Sequence, residues 1–258
     1  MGRVTAVILD WAGTAVDHGS LAPVRALQRL FAGRGVAVTE EEARRDMGIH
    51  KKDHIRALLR AKAGRPPDEA DVEELFAAFI PIQMDSLVAC SPVIPGVAGT
   101  VEALRARGIK IGSTTGYTRP MLELLLSSAA AQAYHPDCAL CPEDTVAGRP
   151  WPWMCYLTAI RLRTYPMHTM VKIGDTISDI EEGLNAGMWT IGIARTGNMI
   201  GLTAEQLAAL PAAELAARLD AARRNLSGAG AHYIADAVAD CIPLVDAIEA
   251  RLAKGERP

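Results

Sequence analysis

Val7-Ile8-Leu9-Asp10-Trp11-Ala12-Gly13-Thr14 is the stretch on which the fold of this chain turns. An apolar run without alternation predicts a strand buried on both faces, the parallel-sheet pattern. The run ends in the carboxylate of Asp10, and a Gly-Thr turn follows at once. Open α/β sheets bind their ligands beyond the carboxyl ends of the strands, so Asp10 stands where chemistry is done. Ala12 is then a puzzle. A carboxylate two residues after Asp10 would be a natural acid–base partner, and the position holds a methyl group.

Similar apolar runs recur at Ile109 to Thr114, Met170 to Gly174 and Trp189 to Ile193. Helical stretches over 98–107, 118–131, 152–163 and 178–186 separate or follow them. This alternation predicts an α/β fold, a doubly wound, mainly parallel sheet. A late strand near His232 to Ile234 extends it, after the turn Ser227-Gly-Ala-Gly230. The segment from about 22 to 95 breaks the alternation and holds no good strand. Pro23 opens one helix, Thr39-x-x-Glu42 forms a capping box for a second, and Asp68 starts another. An all-helical cap over 21–95 is therefore expected, inserted into an α/β core made of 1–20 and 96–258. Ser91 to Gly96 would be the return hinge.

Composition narrows the class. The 258 residues are 50% apolar and 22% charged, the balance of an ordinary globular protein. A net charge of -3 gives no electrostatic case for a nucleic-acid partner. No apolar run approaches the roughly 20 residues that span a bilayer, so no membrane partner is expected. The first residues carry no signal-peptide cleavage pattern, and Ala6 does not suit a myristoylated Gly2; a cytoplasmic location is expected. The five cysteines, Cys90, Cys138, Cys141, Cys155 and Cys241, are odd in number and scattered, which argues for a reducing compartment. Cys138-x-x-Cys141 has no second pair with which to hold zinc and reads as buried free thiols rather than a redox pair. Trp11, Trp151, Trp153 and Trp189 read as packing groups. His18, His135, His168 and His232 show no metal-ligand spacing. Glu143-Asp144 reads as a solvated loop pair.

Two further strand ends carry chemistry. One reads Ser113-Thr114-Thr115-Gly116, whose hydroxyls and amides suit phosphate oxygens. The other reads Gly174-Asp175-Thr176-Ile177-Ser178-Asp179, with two carboxylates one helical turn apart. Grouped carboxylates and backbone oxygens form a hard-oxygen nest suited to Mg²⁺, and a carboxylate can attack phosphorus. Singly, each element reads as a turn residue or an acidic helix start. Their order and their shared placement at strand ends make that reading untenable.

DxxGT after the first strand, a hydroxyl-tipped second strand, a basic residue before proline and then GDxxxD form the motif set that this chain shares with the haloacid dehalogenase-like hydrolases, which it resembles over nearly its whole length. The resemblance implies that Asp10 is the nucleophile. It implies that Asp10, the Ala12 backbone carbonyl and Asp175 bind Mg²⁺, with Asp179 in support. Thr115 and the Gly116 amide would hold the phosphoryl group, and Arg149 of Gly148-Arg149-Pro150 would neutralise it. Most members use lysine there. Arginine keeps the role plausible because it grips phosphoryl oxygens in bidentate fashion.

Most phosphomonoesterases of that superfamily carry aspartate at position 12, as acid and base. Its metal contact uses the main chain, so Ala12 costs a proton donor and no ligand. Loss of such an acid slows a poor oxygen leaving group by ~10²–10⁴-fold. A different leaving group is suggested by Met47-Gly48-Ile49-His50-Lys51-Lys52-Asp53-His54. Read blandly, this is a solvated basic helix edge. Yet a lysine can form a Schiff base with a carbonyl substrate, and the iminium would let a carbon–phosphorus bond break with no acid at position 12. Lys52 as a neighbouring cation, and desolvation under a closed lid, would lower the amine pKa.

D-W-A-G-T, M-G-x-x-K-x-D-H, G-S-T-T-G-Y-T, A-G-R-P-x-P-W-M and G-D-T-x-S-D together resemble the phosphonoacetaldehyde hydrolase (phosphonatase) family. That resemblance implies cleavage of a small phosphonate, phosphonoacetaldehyde, to acetaldehyde and phosphate by a Mg²⁺-dependent homodimer, in the breakdown of 2-aminoethylphosphonate. It makes Lys51 the Schiff-base residue and leaves Lys52 outside the motif. It places His54 and Met47 on the lid side of the site, His54 as a proton relay, with Tyr117 shaping the pocket. Ser20 departs from a cysteine found in some members and is expected to touch no chemistry. The rival readings are a phosphomonoesterase or phosphomutase on the same core, against which Ala12 speaks, and a non-catalytic binder of phosphorylated ligands, against which the joint presence of Asp10, Asp175 and Lys51 speaks.

Overall fold

The computed structural model describes residues 2–89 and 91–258; Met1 and Cys90 lie outside them. Six strands form one parallel sheet: β1 (Ala6–Leu9), β2 (Lys110–Thr114), β3 (Cys138–Leu140), β4 (Met170–Gly174), β5 (Trp189–Ile193) and β6 (Tyr233–Ala235). Their spatial order is β3-β2-β1-β4-β5-β6, all neighbours parallel. The winding reverses at β1, which pairs with β2 on one edge and β4 on the other. Leu9 lies opposite both Ser113 and Ile173. Asp10, Thr115 and Asp175 therefore leave the sheet at one level, at the switch point where such sheets bind ligands.

Helices α1 (Leu21–Ala32), α2 (Glu40–Arg45), α3 (Lys51–Ala63) and α4 (Glu69–Ala89) follow β1, before α5 (Val97–Ala106) leads into β2. The capping box of α2 forms: Thr39 Oγ1 accepts from the Glu42 amide, and Glu42 Oε2 accepts from the Thr39 amide. Leu27 and Phe31 of α1 are fully buried, as is Phe79 of α4. Burial of side chains this size contributes roughly 1.5–3 kcal/mol each. Around the sheet lie α6 (Arg119–Ala130), α7 (Trp153–Leu162), α8 (Ile177–Asn185), α9 (Ala204–Ala208), α10 (Ala212–Gly228) and α11 (Ile242–Ala253). Among the described residues, no helix is long and apolar enough to cross a membrane.

Three sequence expectations change. Cys138 to Leu140 forms an edge strand that the sequence did not announce; a three-residue strand is too short to show a pattern. Trp11 and Trp189 are buried, but Trp151 is 57% exposed and Trp153 40% exposed, so two of the four tryptophans are surface groups. Glu143 is exposed, but Asp144 is mostly enclosed, its side chain 13% exposed. It pairs with Arg119 and accepts from the Cys141 amide at 2.9 Å. Cys138, Cys141, Cys155 and Cys241 are free and buried, and burial pushes the Cys141 thiol up to about 12, which leaves little thiolate for redox chemistry.

Candidate active site

Ligand atoms of Asp10, Asp175 and Asp179 lie within 4.8 Å of one another, all buried. The Asp10 and Asp175 carboxyls are held above the ordinary carboxylate range by burial, and then by neighbouring carboxylates: Asp179 beside Asp10, and Asp10 and Asp179 beside Asp175. Thr14 Oγ1 donates to Asp175 Oδ1 at 3.1 Å, and the Asn198 amide to Oδ2 at 2.7 Å. A buried, mutually repelling set of hard oxygens fits a small divalent cation. Asp179 differs. It is the acid of the α8 capping box, its Oδ2 accepting from the Thr176 hydroxyl at 2.6 Å and amide at 3.2 Å. Burial pushes its carboxyl up, but Arg149 and Lys172 outweigh that and hold it below the usual range.

Arg149 is fully enclosed. Its Nη1 lies 2.7 Å from Asp10 Oδ1 and 2.9 Å from Asp179 Oδ1, and its Nε donates to Glu182 Oε2 at 3.0 Å. Its Nη2 donates to the Thr114 carbonyl at 2.5 Å. Beside it, Lys172 Nζ lies 2.9 Å from Asp179 Oδ1 and 3.1 Å from Glu182 Oε2. Burial opposes the charge on both cations, yet the surrounding carboxylates raise both pKa values.

From the helical side, Lys51 opens α3 and is 2% exposed. Its Nζ lies 3.6 Å from the Met47 sulfur and 5.4 Å over the Tyr117 ring. Burial pulls its pKa down to about 8; Asp10 resists this and Arg149 adds to it. Lys52 is not among the causes: it points outward and pairs with Glu73. His54 is fully buried, and neither ring nitrogen makes a well-formed hydrogen bond among the described residues. Burial, and then the Lys51 charge, depress it to about 3, against weak support from the Ala43 backbone. It is a neutral imidazole behind Lys51 rather than a wall of the cleft.

A narrow cleft of about 20 Å³ joins these groups, lined by Asp10, Ala12, Ser20, Pro23, Met47, Gly48, Lys51, Thr115, Gly116, Tyr117, Arg149 and Thr176. A larger opening of about 520 Å³ lies outside it, past His50 and Trp151, and shares only Arg149 with it. The narrow cleft is the chemical site, because Asp10, Arg149 and Lys51 all open into it. The helical segment is pressed hard on the sheet: a Cβ on Gly116 would sit 2.5 Å from the Ile49 carbonyl and 2.6 Å from that of Gly48. The Ser178 hydroxyl donates to the Met47 carbonyl at 3.1 Å. Arg44 reaches the Gly19 carbonyl at 2.9 Å, Asn198 Oδ1 at 3.1 Å and the Gly201 carbonyl at 3.0 Å. Ser20 lines the cleft, and its buried hydroxyl has no hydrogen-bond partner among the described residues.

Every residue proposed from the sequence thus converges here, with His54 just behind. Lys172, Glu182, Asn198 and Arg44 were missed, and Ser20 was named without a place in the cleft. Lys172 left one signal, a charge inside an apolar strand run.

Fold and site together define a phosphotransfer-type hydrolase of the α/β class. Residues 4–187 match the family model for haloacid dehalogenase-like hydrolases. A phosphonoacetaldehyde hydrolase of Nitratidesulfovibrio vulgaris is 47% identical, covering 100% of this chain and 95% of its own. One of Paraburkholderia xenovorans is 45% identical, with 100% of both chains covered. The crystal structure of a phosphonoacetaldehyde hydrolase-like protein from Oleispira antarctica superposes with a TM-score of 0.96 at 41% identity, over 100% of this chain and 96% of that one. The chain belongs to the phosphonoacetaldehyde hydrolase family of the haloacid dehalogenase-like hydrolases.

Proposed function

We propose that this enzyme hydrolyses phosphonoacetaldehyde to acetaldehyde and phosphate through a Schiff base on Lys51 and a phosphoryl group on Asp10. One observation carries the reading: a buried amine with a pKa near 8 faces the same cleft as the strand-end carboxylate, with a thioether as its hydrogen-bond partner among the described residues. The free amine of Lys51 adds to the aldehyde carbon and water departs, leaving a protonated imine. A carboxylate oxygen of Asp10 attacks phosphorus as the carbon–phosphorus bond breaks. That electron pair becomes the carbon–carbon double bond of an enamine, and the nitrogen takes back the imine pair. The enamine carbon is protonated, water hydrolyses the iminium to acetaldehyde and free Lys51, and a second water releases phosphate from Asp10. Ala12 fits this route, because the leaving group is a carbon stabilised by the iminium rather than an alkoxide needing an acid.

Thr115, the Gly116 amide and Arg149 hold the phosphonate oxygens, and Tyr117 and Met47 wall the aldehyde end. His54, neutral at working pH, accepts a proton during imine formation. Mg²⁺ would be held by Asp10, Asp175 and the Ala12 carbonyl, with Asp179 in support; it would supply positive charge against the phosphonate and the incoming carboxylate. The family likeness supports a cytoplasmic homodimer serving 2-aminoethylphosphonate breakdown; sedimentation at working concentration checks the dimer. The deciding test is borohydride reduction in the presence of phosphonoacetaldehyde, followed by peptide mapping. The expected adduct is on Lys51. No adduct, or one on Lys52 with Lys51→Arg still active, would overturn the mechanism.

A further inference from the structure

We infer that Lys172 and Glu182 are positioning residues for Arg149, a buried pair that aims its guanidinium at the phosphonate. The inference rests on the reading that Arg149 grips the phosphonate and extends it to two residues with no role in that reading. Lys172 sits inside β4, with no exposure, where a central parallel strand is expected to be apolar. Glu182 sits on α8, one turn beyond Asp179, also with no exposure. A buried charge is retained only when it is compensated, and here the compensation is local. Glu182 Oε2 alone meets Arg149 Nε at 3.0 Å, Lys172 Nζ at 3.1 Å and the Thr114 hydroxyl at 3.0 Å. Lys172 Nζ in turn donates to Thr114 Oγ1 at 2.9 Å and faces Asp179 Oδ1 at 2.9 Å. The backbone makes room for this arrangement. A Cβ on Gly183 would sit 2.8 Å from Lys172 Cβ and 2.6 Å from Thr190 Cγ2, so α8 lies directly on the lysine stem.

The result is a neutral block of two cations, Arg149 and Lys172, and two anions, Asp179 and Glu182. Asp175 is left outside it with no ion pair among the described residues, and Asp10 touches it only through Arg149 Nη1 at 2.7 Å. Within the block the guanidinium is gripped on two sides, Nε by Glu182 and Nη2 by Thr114. Nη1 is the forward corner of the fork: it lies 2.7 Å from Asp10 Oδ1 and 2.9 Å from Asp179 Oδ1, and it fronts the cleft that the phosphonate would enter. A lysine at position 149 could not be held from behind and reach forward at once, because one ammonium cannot replace a three-nitrogen fork. The arginine and its two buried partners therefore form a set.

The test uses the Mg²⁺-loaded enzyme with two readouts: the dissociation constant of inorganic phosphate by calorimetry, and borohydride trapping of acetaldehyde on Lys51, which involves no phosphonate. Glu182→Gln keeps the shape and loses the charge; Lys172→Met removes the opposite one. Each single change is expected to weaken phosphate binding on the order of 100-fold, the scale of a misplaced positioning contact. Acetaldehyde trapping should stay within about twofold of the parent enzyme, a split that general unfolding would not produce. The double variant, again charge-balanced, should recover at least about tenfold of the lost affinity. It also carries the test if either single variant fails to fold: phosphate affinity clearly below that of the parent enzyme supports the positioning role, and affinity equal to the parent's, with both positioning charges gone, overturns it. Phosphate affinity unchanged in both single variants, or trapping lost in step with affinity, overturns the inference. Arg149→Met separates the two levels. If it too leaves phosphate binding intact, the reading of Arg149 fails. If it abolishes binding while Glu182→Gln and Lys172→Met do not, only the positioning role fails.

Discussion

On the core side of the cleft Arg149, Lys172, Asp179 and Glu182 each have a counter-charge within about 3 Å. On the helical side Lys51 and His54 are as deeply buried and nearly bare, with a sulfur, an aromatic face and, among the described residues, no well-formed hydrogen bond to the imidazole. The chemistry explains the contrast. A group that must stay charged and fixed is compensated on all sides, as Arg149 is. A group that must lose its proton to act is denied compensation: burial, with a neighbouring cation adding to it, carries Lys51 down to about 8 and His54 to about 3. Two sites of equal dryness thus take opposite protonation states through their partners.

The contrast breaks most visibly at its two nucleophiles. Asp10→Asn and Lys51→Arg should each cut phosphate release by roughly 10⁴-fold or more, the scale of losing a covalent nucleophile. Asp10→Asn should still trap the aldehyde on Lys51, whereas Lys51→Arg should not; Lys52→Arg should retain turnover within about twofold. Next in size is stability. Lys172→Met strands two buried carboxylates and should cost about 3–5 kcal/mol in a denaturant melt. His54→Leu removes a polar ring that has no well-formed bond to lose and should cost less than about 1.5 kcal/mol. Smaller again is the pH response. The Lys51 pKa is depressed from 10.5 to about 8, so the free amine grows as pH rises. Trapping should climb about tenfold per unit below pH 8 and level off above it. Smallest is Ala12→Asp, which adds an acid the route does not use and should not raise turnover of phosphonoacetaldehyde.

What could be read from the sequence follows the same division. Strands buried on both faces advertise themselves as apolar runs, and the residue after each run falls at the ligand-binding edge. Asp10, Thr115 and Asp175 were legible for that reason. β3 was not, being a three-residue edge strand behind Tyr134-His135-Pro136-Asp137. Lys51 was legible through its motif alone. Its neighbourhood, Lys-Lys-Asp-His, reads as a solvated helix edge, and that reading holds one residue later, where Lys52 faces Glu73. The burial of Lys51 depends on how α3 lies against the sheet. Lys172 and Glu182 stayed hidden because their meaning lies in each other: a lysine in a strand and a glutamate on a helix acquire a role once α8 crosses β4. Ser20 was underrated because its place in the cleft comes from the turn before α1.

Asn198 binds the helical segment through its side chain, accepting from Arg44 at 3.1 Å and donating to the Arg44 carbonyl at 3.1 Å, while its backbone amide holds Asp175 at 2.7 Å. One residue thus bears on two equilibria, the seating of α2 on the core and the loading of the carboxylate site. Such couplings are reciprocal. Whatever stabilisation a cation at Asp175 lends to the seated helices, the seated helices lend to the cation in equal measure. Dilution of Mg²⁺ and loosening of the helical segment then become one event seen from two ends, and hydrogen exchange in α2 should report metal occupancy from a helix that supplies no ligand.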